Sequence, residues 1–80
     1  MPRYYFDFLD GGGFLVDDEG REFSDTHAVQ VEAARSLIDM ARDSLLESAV
    51  ASIDRITIQV RDDAGPVMNV WFRFEIDRTN

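Results

Sequence analysis

Three groups of residues in this chain of 80 residues could do chemistry. Ser24, Asp25 and His27 put a hydroxyl, a carboxylate and the only histidine side by side. In an acyl-transfer enzyme such groups converge in space around a cleft and an oxyanion hole. Here they are chain neighbours in front of an apolar, helix-periodic segment, where N-caps belong. The expected role is capping, with Asp25 as the N-cap, and no catalytic residue is assigned.

The second group is carboxylates. Asp10, Asp17, Asp18 and Glu19 crowd one region, and Asp62 with Asp63 another. A hard cation such as calcium wants about six to eight oxygens in fixed geometry. The spacing does not fit an EF-hand loop, and Asp and Gly are common turn residues. No metal or other cofactor is expected. Asp17-Asp18-Glu19-Gly20 echoes Asp62-Asp63-Ala64-Gly65, which reads as one turn chemistry used twice.

The third group is aromatic and cationic. Tyr5, Leu9, Trp71 and Arg73 share one face of two alternating segments. Aromatics and arginine are enriched at the energetic centres of protein interfaces. That face is the candidate interaction surface. The competing reading is that Trp71 lies flat over its neighbours and shields the sheet.

The remaining chemistries are excluded or disfavoured by composition. With no cysteine there can be no disulfide, thiolate metal site or cysteine nucleophile. Gly11-Gly12-Gly13 lacks the Lys-Ser/Thr and following helix of a phosphate-binding loop. Sixteen carboxylates against eight arginines, with no lysine, give a net charge of -8. That charge repels a phosphate backbone, and the arginines are spread along the chain, so nucleic acid is not the expected ligand. It suits a basic protein partner. No run approaches the ~20 apolar residues that span a bilayer. Asp7 and Asp10 interrupt any apolar signal region, so no membrane association and a cytoplasmic location are expected.

These residues must be positioned by a single small domain, since a chain of this size buries only roughly 60% of its unfolded surface. Residues 3–9 alternate as a strand, with Tyr4, Phe6 and Phe8 inward and Tyr5, Asp7 and Leu9 outward. Asp7 is placed outward because an unpaired buried carboxylate is costly. Short strand pieces follow at about 14–16 and 21–23. A helix is expected over about 26–50. On a wheel at about 100° per residue, His27, Val31, Ala34, Ile38, Ala41, Leu45 and Ala49 make the core stripe, with Leu37 and Leu46 at its flanks and Glu32 facing out. A strand at about 55–61 turns Ile56, Ile58 and Val60 inward. A final strand, about 67–76, turns Met68, Val70, Phe72, Phe74 and Ile76 inward and Val67, Asn69, Trp71, Arg73 and Glu75 outward. The fold class is α+β: a two-layer β-β-α-β-β domain. One long amphipathic helix covers one face of a four-stranded, largely antiparallel sheet. The strands at 3–9 and 55–61 are expected at its centre; the alternative sets the first and last strands parallel to each other.

The chain also resembles a family of short alphaproteobacterial proteins, common in rhizobia and catalogued as a domain of unknown function. The matching features begin with Met1-Pro2-Arg3-Tyr4-Tyr5-Phe6 and the Asp10-Gly11 turn. They continue through Asp18-Glu19-Gly20, Phe23, Asp25, Glu32-Ala33-Ala34-Arg35 and Asp63-Ala64-Gly65. Members often carry histidine where this chain has Asp7, which argues against a metal ligand at that position. The resemblance implies a fold pattern and a bacterial source, not a mechanism. The expected function is a small non-enzymatic protein-interaction module. It would work through the helix-free sheet face or an edge strand, a homodimer being the commonest closed assembly. The alternative is a small enzyme or metal-dependent protein using His27 and the turn carboxylates.

Overall fold

The structure is a computed structural model that describes residues 2–10, 13–47, 55–73, 77 and 79. The strands are β1 (Arg3–Asp10), β2 (Gly13–Leu15), β3 (Arg21–Glu22), β4 (Arg55–Asp62) and β5 (Gly65–Arg73). Among the described residues there is one helix, α1 (Thr26–Glu47), between β3 and β4 in the chain. The sheet order is β2-β1-β4-β5, and among the described residues every pairing is antiparallel. This is the α+β arrangement expected, with β1 and β4 central.

The sheet has five strands rather than four because the segment returning from β1 is divided. β2 pairs with Phe8–Asp10 and β3 with Arg3–Tyr4. Since β4 holds the other side of Tyr5–Leu9, β2 and β3 lie end to end along one edge of β1. Residues 16–20 bridge the gap between them. Phe23 lies just past β3, its N–H donating to the Pro2 carbonyl at 3.2 Å.

Asp25 is the N-cap, its Oδ1 accepting the Ala28 N–H at 2.8 Å. The buried face of α1 is Val29, Ala33, Leu37 and Ala41, each at most 4% exposed. The expected stripe is therefore corrected by a rotation of about 100°. Val31 and Ile38 are exposed at 46% and 62%, and His27 is exposed too. The apolar arc of α1 is about twice as wide as one sheet can cover, so a wheel alone does not say which half is buried. Neighbouring contacts settle it. Glu32 is drawn toward the sheet by Arg21 at 2.6 Å, and the Arg21 guanidinium lies 5.4 Å from the Phe23 ring centroid. The side chains of Leu45 and Leu46, residues 48–50, and the expected strand end at 74–76 lie outside the described residues.

Tyr4, Ile56, Ile58 and Val60 face the helix and are almost wholly buried. Phe6, Phe8, Phe23, Met68, Val70 and Phe72 close around them. Val67 was expected on the outer face but packs against this core. The cause is a bulge: Val60 pairs with Met68 and Arg61 with Pro66, which leaves Val67 as the extra residue.

Candidate interaction face

The face of the sheet away from α1 is built in rows, because antiparallel partners point to the same side. One row runs through four strands: Phe14 of β2 opposite Leu9 of β1, Leu9 opposite Thr57 of β4, and Thr57 opposite Trp71 of β5. At ~4.8 Å per strand it spans about 14 Å. Its two ends, Phe14 and Trp71, are each 56% exposed. Arg55 lies opposite Arg73 at the next position outward, and the Arg55 guanidinium stands 5.3 Å from the Trp71 ring centroid. On the other side runs a polar row, Asp7, Gln59 and Asn69.

Beyond that polar row the face is covered. Asp7, expected outward and solvated, is 6% exposed. Its partner comes from the diagonal position on β4, where Arg61 Nε donates to Asp7 Oδ2 at 2.9 Å. Arg61 Nη2 also donates to the Asp17 carbonyl at 2.8 Å, and its guanidinium lies 4.5 Å from the Tyr5 ring centroid. Asp7 Oδ1 accepts the Asp17 N–H at 3.0 Å, which ties residues 16–20 to the sheet. Arg3 Nη1 donates to the carbonyl of Glu19 at 2.8 Å. Asp7 is therefore buried but paired, which removes the penalty that argued against burying it.

Asp17 fills the interruption in the edge ladder. Its Oδ2 accepts the Phe6 N–H at 3.0 Å, and its Oδ1 accepts the N–H groups of Glu19 and Gly20, both at 3.1 Å. Burial pushes the Asp17 carboxyl pKa up. The backbone donors Phe6, Gly20 and Glu19, with the charge of Arg61, outweigh it and hold the carboxyl below its ordinary value. The second Asp-Asp turn repeats the pattern: Asp62 Oδ1 accepts the N–H of Ala64 at 2.8 Å and of Gly65 at 3.1 Å. In both turns the glycine has positive φ, 71° at Gly20 and 131° at Gly65. The sequence echo is turn chemistry.

Of the expected face residues, Leu9 and Trp71 fall in the four-strand row, and Arg73 is exposed beside it. Tyr5 does not join them. It is half-buried beneath Arg61 and against Gly20, one polar row away. Phe14 completes the row and was not assigned from sequence, because only the register of a three-residue strand reveals it. His27 was expected on the buried stripe and is exposed instead. Among the described residues no group of three or more His, Cys, Asp or Glu side chains could hold a metal ion. A separate open groove of about 390 Å³ runs between α1 and the β1–β2 edge, lined by Phe6, Phe8, Leu15, Met40 and Ile58, with Ser36 and Asp39 as polar groups.

A two-layer α+β domain with an apolar row on the sheet face turned away from α1 is the class of protein defined by this geometry. The chain belongs to the family described as Domain of unknown function (DUF6894), whose model matches residues 3–73. Neither the curated proteins nor the solved structures include a significant match to it. No helix among the described residues is long and apolar enough to cross a membrane.

Proposed function

We propose that the chain is a small non-enzymatic protein-interaction module. Its contact surface is the Phe14–Leu9–Thr57–Trp71 row of the helix-free sheet face. The observation that carries this reading is the register. Residues from four strands align on a face the core does not need, and both terminal aromatics are more than half exposed. Large aromatics with arginine at the rim form the energetic centre of many protein interfaces. Arg55, standing over the Trp71 ring, adds a cation to this face in a chain whose net charge is -8. The preferred partner is therefore a protein surface with apolar residues beside a carboxylate.

The test uses the tagged chain as bait in a lysate of the organism that encodes it, with Phe14→Ala and Trp71→Ala beside the wild type. Circular dichroism establishes that each variant is folded. A protein captured in stoichiometric amount by the wild type and lost by both variants supports the reading. An unchanged set of captured proteins, or none, counts against it.

A further inference from the structure

Residues 16–20 join β2 to β3 along the edge of the helix-free face, and nothing apolar holds them there. The segment reads Val16-Asp17-Asp18-Glu19-Gly20, and Val16, its one large apolar side chain, is 53% exposed. Among the described residues no backbone-to-backbone hydrogen bond outside the strands reaches it. Side chains fasten it instead. Asp17 Oδ2 accepts the Phe6 N–H at 3.0 Å, and Asp7 Oδ1 accepts the Asp17 N–H at 3.0 Å. Arg61 Nη2 donates to the Asp17 carbonyl at 2.8 Å. Arg3 Nη1 donates to the carbonyls of Glu19 and Gly20 at 2.8 and 3.2 Å.

Such a fastening is easily undone. Each bond is exchanged for one to water when the segment lifts, so each adds little net stability. A segment with few buried apolar contacts opens well below the free energy of global unfolding. Lifting also returns the Asp7 carboxylate, now 6% exposed, to water, and its bond to Arg61 Nε does not depend on the segment. That rehydration offsets part of the lost contacts. The two ends are pinned, because β2 pairs with Phe8–Asp10 and β3 with Arg3–Tyr4.

We propose that residues 16–20 are a polar strap that opens and closes as one unit, hinged at β2 and β3, while the sheet stays folded. Closed, the strap lies against Tyr5: Gly20 packs on its ring, which is half-buried. Open, it uncovers Tyr5 and the Asp7–Arg61 pair and lengthens the exposed face by one aromatic ring. A partner that touches Tyr5 binds the open state and draws the population toward it. As regulation of the contact face this rests on the function proposed above; the opening itself does not.

Hydrogen exchange of single amides, followed by NMR on the protein alone, tests the strap. Two N–H groups cross the contact from opposite sides, Phe6 from the sheet and Asp17 from the strap. One opening frees both, so they are expected to share one protection factor. Because the Phe6 N–H faces the strap, those of Tyr5 and Asp7 face β4. These two are expected to be protected at least about tenfold more strongly than Phe6. Arg3→Met removes the contacts to the Glu19 and Gly20 carbonyls and touches the acceptor of neither Phe6 nor Asp17. The Arg3 side chain is 44% exposed, so the variant keeps the fold. If the strap moves as one unit, both amides exchange about three to ten times faster in the variant. Phe6 protected as strongly as Tyr5 and Asp7, unequal protection of Phe6 and Asp17, or an Arg3→Met variant that leaves both unchanged would each overturn the strap. No partner enters these readings. A strap that opens in a chain that captures nothing through Phe14 and Trp71 overturns the contact face and leaves the opening established.

Discussion

Arg61 Nε donates to Asp7 Oδ2 at 2.9 Å, joining two residues 54 positions apart on the middle strands of the sheet. The pair closes one end of the helix-free face. With the Asp7 and Arg61 contacts to Asp17, it holds residues 16–20 against the sheet and leaves the Phe14–Trp71 row as the open part.

Removing one partner of this pair leaves a charge that is already desolvated. Arg61→Met is expected to lower the urea-unfolding midpoint, by less than the loss of a fully buried pair would, because the Arg61 side chain keeps 37% of its exposure. Asp7→Ala combined with Arg61→Met should cost clearly less than the sum of the two single changes. Strict additivity would show that the two residues do not act as a pair.

Gly20 is fixed by conformation and by space together. Its φ is 71°, and a Cβ there would lie 2.8 Å from Tyr5 Cε2 and 2.9 Å from Arg3 Cγ. Gly20→Ala is expected to destabilise by about 1–3 kcal/mol. Gly13→Ala, where nothing lies within 4 Å of a new Cβ, should stay within about 0.5 kcal/mol of wild type. Thermal or urea unfolding of both variants checks the contrast.

Among the described residues, the carboxyls of Asp17 and Glu32 sit below their ordinary values. For Asp17, burial raises the pKa but the donors Phe6, Gly20 and Glu19 outweigh it. For Glu32, the Arg21 hydrogen bond dominates. A carboxyl whose folded pKa is depressed binds its proton less readily folded than unfolded. Its stabilisation is fully present above the ordinary carboxylate range and is lost as pH falls through the folded value. Stability should therefore decline on acidification through and below that range, and Asp17→Asn should flatten the decline. Urea midpoints measured across acid pH decide this; an identical slope in the variant would remove Asp17 from the explanation.

The rotation of α1 can be measured directly. Leu37 is 4% exposed and Ile38 is 62% exposed. Leu37→Ala is expected to cost about 2–4 kcal/mol, and Ile38→Lys within about 0.5 kcal/mol. The reverse order would restore the helix face expected from the wheel.

What the sequence revealed was local. The alternation at residues 3–9 and 55–61 set the inner faces, the run before the helix marked Asp25 as its cap, and the Asp-Asp-x-Gly turns announced their glycines. What it concealed depends on contacts distant in the chain. The helix face was ambiguous because Val31 and Ile38 extend the apolar arc beyond what the sheet covers. The burial of Asp7 requires Arg61, and Phe14 joins Leu9 only once the register of β2 is known. Val67 turned inward because a one-residue bulge reverses the alternation, and no periodicity in the chain marks it.

The most direct measurement replaces Phe14, Trp71 or Gln30 in turn with a photo-crosslinking phenylalanine in the cell that encodes the chain. Gln30 is an exposed position on α1. Discrete adducts to another protein from positions 14 and 71, and none from 30, are expected if the helix-free face is the contact surface. Adducts absent from 14 and 71, or equally strong from 30, would contradict it.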